Sequence, residues 1–128
     1  MDKNVVLKRM DFGYWPEGQI ELQEHFILAH YLFTDVGSGA LSWIEWLNDP
    51  QYSYTSSNAT SVIKDPDDVE SILLADVLSD DGPYFVINKN TLINLLEKWD
   101  ELYKQGAPYI VITIDGDTNV TIEGAQES

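Results

Sequence analysis

The sequence predicts an α+β domain, a small antiparallel sheet with two to four helices packed on it. Three observations predict that class. Short apolar runs of strand character occur in both halves of the chain. One strongly amphipathic helix stands between strand-like segments in the C-terminal third. Proline and glycine fall mostly at the breaks between apolar stretches, as they do in a folded domain. The 128 residues fit a single domain spanning 1–128. With 44% hydrophobic and 12% aromatic residues the chain can bury a core, which excludes a disordered acidic tail.

Val5 to Phe12 alternates, with Val6, Lys8, Met10 and Phe12 on one side, and reads as a strand. Gly13 to Gly18, built on Trp15-Pro16-Glu17-Gly18, reads as a turn. Gln19 to Asp35 places Leu22, Phe26, Ala29 and Phe33 at helical spacing, while Ile27, Leu28, Tyr31 and Leu32 make the other face apolar. It is a buried helix or a strand, with helix favoured. Val36-Gly37-Ser38-Gly39 breaks it. Ala40 to Asn48 reads as a short helix with Leu41, Ile44 and Leu47 on its core stripe, stopped by Asp49-Pro50. Trp43 and Trp46 fall partly off that stripe. Gln51 to Ser61 is rich in Ser and Thr and reads as an exposed loop or irregular strand.

Asp65-Pro66-Asp67-Asp68 has the marks of a helix start: a capping acid, a proline at the first position, then acids against the dipole. Val69, Ile72, Leu73 and Val77 would form its face. Residues 69–78 serve equally as a strand, hairpinned through Ser79-Asp80-Asp81-Gly82-Pro83 to the strand Tyr84 to Ile87. Asn90 caps a helix running to Gln105, with Leu92, Leu95, Leu96, Trp99, Leu102 and Tyr103 on one face. Gly106 closes it. Tyr109 to Ile114, the turn Asp115-Gly116-Asp117, and Thr118 to Glu123 form a hairpin, and Gly124 to Ser128 a polar tail.

Charge narrows the function. There are 22 acids against 7 bases, a net charge of −15. No Lys or Arg lies between Arg9 and Lys64, between Lys64 and Lys89, or after Lys104. Asp65 to Asp81 holds seven acids: Asp65, Asp67, Asp68, Glu70, Asp76, Asp80 and Asp81. Nucleic acid and anionic membrane are poor direct partners, because both require positive surface. Acidity serves solubility, or it steers a basic protein in. No cysteine is present, which removes disulfides, thiolate metal sites and cysteine nucleophiles. No signal-peptide pattern opens the sequence and no apolar run is long enough to span a bilayer, so the expected location is cytoplasmic.

Chemical motifs are sparse. His25 and His30, the only histidines, would sit about 140° apart on a helix and on opposite faces of a strand. Neither geometry makes a metal pair. Asp115-Gly116-Asp117-Thr118-Asn119 imitates the start of a calcium loop, but Val120 stands where the glycine belongs and Gln126 where the glutamate belongs. Phosphate-cradling glycine loops and a nucleophile elbow are missing, and Arg9 is the only arginine. The expectation is a binding protein with no enzymatic activity and no cofactor. A small hydrolase with a carboxylate site, or an acidic nucleic-acid mimic or adaptor, are the alternatives.

The block Tyr84-Phe85-Val86-Ile87-Asn88-Lys89-Asn90-Thr91-Leu92-Ile93-Asn94-Leu95-Leu96-Glu97-Lys98-Trp99, followed by Pro108-Tyr109-Ile110-Val111-Ile112-Thr113, resembles the end of small bacterial immunity proteins. These are the antitoxins of polymorphic toxins, contact-dependent growth inhibition systems included. The resemblance covers about the last third of the chain and is a pattern of strand, helix and strand. It implies a toxin inhibitor that binds a basic toxin domain, often a nuclease, and blocks its active site. The candidate partner-binding residues come from charge and aromatics: Trp46, Tyr52, Tyr54, Asp67, Asp68, Glu70, Asp80 and Asp81. Tyr and Trp beside acids suit a hot spot for a basic protein.

Overall fold

The computed structural model describes residues 3–20, 22–51, 53–57, 59–68, 70–78, 83–115 and 119–126. Its elements run β1 (Lys3–Met10), β2 (Gly13–Pro16), α1 (Gln23–His30), a π-helical segment (Tyr31–Val36), α2 (Ala40–Asn48), β3 (Tyr54–Ser56), β4 (Thr60–Lys64), β5 (Ser71–Asp76), β6 (Tyr84–Asn88), α3 (Lys89–Gln105), β7 (Tyr109–Asp115) and β8 (Asn119–Ala125). The class is α+β, with two four-stranded antiparallel sheets in place of one. The first has strand order β2-β1-β7-β8 and the second is the meander β3-β4-β5-β6.

Alternation sets the inner face of the first sheet. Val5 lies opposite Ile112 and Leu7 opposite Ile110, while Ile112 and Ile114 lie opposite Ile122 and Val120. Val5, Leu7, Ile110, Ile112 and Ile114 are buried. In the second sheet Val62, Ile72, Leu74, Phe85 and Ile87 are buried. Helix α3 packs on β6, β8 and α2, and α1 on β5 and β6. The buried face of α3, Leu92, Leu95, Leu96, Trp99 and Leu102, belongs to the same core cluster as both sheets. Each such aliphatic side chain contributes about 1.5–3 kcal/mol of transfer energy.

Trp99 is fully buried, and its indole N–H donates to the Gly37 carbonyl at 2.8 Å, tying α3 to the break after the π-helical segment. The Tyr14 ring packs on Trp99 and Tyr103, and its hydroxyl donates to the Ala107 carbonyl. Burial pushes the Tyr14 phenol above its ordinary pKa, against a lowering pull from Arg9. Gly106 closes α3 with φ +71°, and a Cβ there would collide with the Arg9 guanidinium, which donates to the Gly106 carbonyl at 3.1 Å. The left-handed φ is what calls for glycine here, since the Arg9 side chain can swing aside.

Several expectations are corrected. Gly13 to Gly18 is not a turn throughout: the turn is Asp11-Phe12, and β2 follows. Pro16 is tolerated because β2 is an edge strand. Asp65-Pro66-Asp67-Asp68 starts no helix but turns the chain between β4 and β5. The alternation of Ile72, Leu74 and the residues between them suits a sheet, and β5 pairs with β4 and β6. The N-cap of α3 is Asn88, whose Oδ1 accepts from Asn90 N at 2.8 Å and Thr91 N at 3.4 Å. The stripe of α2 is rotated: Leu41 faces water, Ala40 and Leu47 are buried, and Trp43 packs edge-on against Tyr31. Gln51 to Ser61 contains β3 and the start of β4, where Thr60 and Ser61 are buried. The hairpin strand β8 runs to Ala125, into the expected polar tail.

Candidate functional site

The predicted site combines acids of the Asp65 to Asp81 stretch with Tyr52, Tyr54 and Trp46, the last near the end of α2. Lys64, at the end of β4, donates from Nζ to the Trp46 carbonyl at 2.8 Å and the Asp49 carbonyl at 2.6 Å. The Trp46 carbonyl also accepts from Asp49 N at 3.2 Å, and a cation at a helix C-terminus suits the dipole. The same ammonium lies 4.4 Å from the centre of the Trp46 ring, a cation–π contact. Burial pulls the Lys64 pKa below its ordinary value; Asp49 opposes that and Lys89 adds to it. Trp46 is therefore half-buried and already holds a cation.

A cleft of about 530 Å³ opens beside this clamp, lined by Leu47, Asp49, Tyr54, Lys64, Asp65 and Lys89 among others. Tyr54 is 52% exposed, with its hydroxyl 3.4 Å from that of Ser61. Both carboxylates lining the cleft fold back on their own backbone. Asp49 accepts from Gln51 N at 2.9 Å and Asp65 from Asp67 N at 2.9 Å. Each commits Oδ1 to a backbone N–H two residues on, and Lys64 stands with them. Among the described residues no three His, Asp or Glu side chains gather to hold a metal.

Asp67, Asp68 and Glu70 are exposed on the β4–β5 turn. Asp68 is occupied locally: Oδ1 accepts from Glu70 N at 3.1 Å and Oδ2 from Ser71 Oγ at 3.0 Å. The Glu70 carbonyl accepts from Lys89 N at 2.7 Å, fastening the turn to the start of α3. The structure thus brings Tyr54, the Trp46 carbonyl clamp and the foot of the acidic turn around one cleft. Tyr52, Asp80 and Asp81 lie outside the described residues.

A second surface lies apart from these residues in the sequence, in the other long stretch free of Lys and Arg. Five rings follow one another along it. Phe12 meets Trp15 at 6.0 Å between centroids, Trp15 meets Phe33 at 5.3 Å, Phe33 meets His30 at 5.1 Å and His30 meets Phe26 at 4.9 Å. Phe12 is 69% exposed, Trp15 53% and Phe26 37%, with His30 and Phe33 half-buried. The local causes are simple. Phe12 sits in the β1–β2 turn. Trp15 neighbours the buried Tyr14, so strand alternation turns it outward. Phe26, His30 and Phe33 recur at i, i+4 and i+7, while Ile27, Leu28, Tyr31 and Leu32 take the core side. Asp11 and Glu17 are exposed beside it in sequence, and Glu24 lies in the first turn of α1. Lys8 stands directly across the ladder from Trp15.

Sequence reasoning missed this ridge. Its signal was the spacing of Phe26, His30 and Phe33, which had been merged into an all-round apolar helix. No family model, no curated protein and no solved structure matches the chain. Among the described residues no helix is long and apolar enough to cross a membrane.

Proposed function

We propose that this protein is an immunity protein: a cytoplasmic, stoichiometric inhibitor that binds a basic toxin domain, expected to be a nuclease, and occludes its active site. One observation carries the reading. Against a net charge of −15, the lysine ion pairs among the described residues both lie within α3, Lys98 with Glu101 at 3.6 Å and Lys104 with Asp100 at 2.9 Å. Other exposed carboxylates, Asp11, Glu17 and Asp67 among them, are open to solvent, and their charge acts outward. Such a field attracts a basic surface and speeds encounter. A nuclease cleft is positive because it must hold phosphates, so an acidic protein seated there competes with its substrate. The resemblance of the C-terminal third to immunity proteins supports the same role.

Co-expression with the toxin domain encoded immediately upstream of its gene tests the proposal. Restored growth and a 1:1 complex are expected. The association rate, followed by stopped flow, is expected to fall at least about tenfold from low to high salt. Undiminished toxicity without a complex, or no toxin gene at that position, overturns it.

A further inference from the structure

We infer that the ridge of Phe12, Trp15, Phe33, His30 and Phe26 is the docking surface for an arginine-bearing face of a basic protein partner. The partner's identity rests on the proposed function; the chemistry rests on the ridge itself. Isolated exposed apolar residues are ordinary, but a contiguous exposed patch marks an interaction surface. Here five rings touch in series, and three of them are more than a third exposed. Aromatic side chains bury about 150–250 Å² each when covered. The open part of the ridge amounts to roughly 300 Å², the right size for the centre of an interface of about 800 Å² per partner. Met10 and Leu22, both more than 40% exposed, extend the apolar surface from β1 and from the start of α1.

Charge selects the occupant. From Met10 to Thr34 the chain carries Asp11, Glu17, Glu21 and Glu24 and no Lys or Arg. A second copy of the chain would set these acids against their own images, in two molecules of net charge −15 each. An anionic lipid surface meets the same repulsion. A basic protein gains from both features, the rings and the carboxylates. Arginine suits them better than lysine, because its planar and weakly hydrated guanidinium stacks on aromatic faces while also pairing with carboxylates. The tilted rings, with interplanar angles of 35–79° along the ridge, leave open faces and edges on which such a group can lie. Lys8 is the one base placed against Trp15 in the ladder, and it limits that end of the ridge to partners whose own charge is offset there.

Fluorescence anisotropy of labelled nona-arginine and nona-lysine peptides with the full chain tests the inference. Arginine is expected to bind several-fold tighter at equal salt. Phe12→Ser with Trp15→Ser is expected to cost about tenfold or more for nona-arginine and less for nona-lysine. Asp67→Asn with Glu70→Gln, on the other surface, is expected to change it less than about twofold. Circular dichroism and the denaturation midpoint check that each variant is folded. Equal binding of the two peptides, or nona-arginine affinity unchanged by the ring substitutions, overturns the inference. Sedimentation showing a wild-type dimer that Trp15→Ser dissolves also overturns it, by assigning the ridge to a second copy. Ring variants that neutralise the toxin as well as wild type overturn it while leaving the proposed function intact. Arginine selectivity lost with the rings, in a chain that neutralises no toxin, upholds the ridge and removes the proposed function.

Discussion

The β4–β5 turn and the aromatic ridge both combine acids with neighbouring aromatics, yet they spend these residues differently. At the turn, the carboxylates of Asp65 and Asp68 hold their own backbone, and the Trp46 ring is covered by Lys64. At the ridge, the recorded ring contacts of Phe12 and Phe26 are with other members of the ridge, and Asp11 and Glu17 are exposed. Composition therefore locates charge and aromatics, while geometry decides which of them are already spent. The two regions are joined underneath. Tyr31, next to His30 in the chain, packs on Trp43 at 5.1 Å, Trp43 on Trp46 at 6.1 Å, and Trp46 on Lys64.

The largest effect comes from removing what both regions stand on. Trp99→Ala is expected to cost about 3–5 kcal/mol, from lost burial and the cavity left behind. An unchanged chemical-denaturation midpoint would show that α3 is not the prop of the core. Next, Lys64→Met strips the donor from the Trp46 and Asp49 carbonyls. It is expected to cost about 1–2 kcal/mol, as both carbonyls lose a charged donor while Asp49 N still reaches that of Trp46. Tryptophan fluorescence should shift as Trp46 loses its cation. A midpoint within error of wild type would mean that Trp46 is freer than described, and the contrast between the surfaces would weaken.

Asp68→Ala sharpens the contrast on the acid side. Losing the Glu70 N and Ser71 Oγ hydrogen bonds is expected to cost about 1 kcal/mol. Asp11→Ala should stay within about 0.5 kcal/mol, as exposed substitutions away from such features do. Equal costs would erase the distinction between carboxylates that fold the chain and those that do not. The smallest effect is alkaline. Burial, with Asp35 adding to it, raises the Tyr31 phenol pKa above its ordinary value near 10. The folded state keeps a proton that the unfolded state gives up, so this contribution is complete below pH 10 and is lost as pH rises beyond it. By pH 10.5 the loss is expected to approach about 1 kcal/mol, and Tyr31→Phe should lessen the slope in denaturation midpoints taken from pH 9 to 11, leaving the part that the raised Tyr14 supplies.

The α+β class, α2, α3 with its Gly106 cap, β1, β6 and the C-terminal hairpin were legible in the sequence, because each has a strong period and local punctuation. The second sheet was only half legible. Asp65-Pro66-Asp67-Asp68 satisfies helix-start and turn rules alike, and only pairing of β5 with β4 and β6 decides between them. The stripe of α2 was misread because Leu41 and Trp43 are both apolar, and Tyr31, distant in register, chose the tryptophan. Of the candidate site, Tyr54, Asp67 and Glu70 are exposed as expected, and Asp68 is exposed but committed to its turn. Trp46 is held by Lys64, a partner 18 residues away that no local pattern announces. The ridge was hidden because its rings come from two segments that meet only when β2 packs on the π-helical segment.

The pairing of β1 with β7 sets an order of assembly during synthesis. Strand β1 lies inside the first sheet, and one of its neighbours is made about a hundred residues later. At about 5–20 residues per second, the β1–β2 hairpin waits roughly 5–20 seconds for β7. A lone hairpin is marginal in water. Val5, Leu7 and Tyr14 are therefore uncovered on the nascent chain while the second sheet, a meander of near neighbours, can already close. A chaperone arriving in that interval would find the inner face of β1, the surface that becomes one of the driest in the finished molecule.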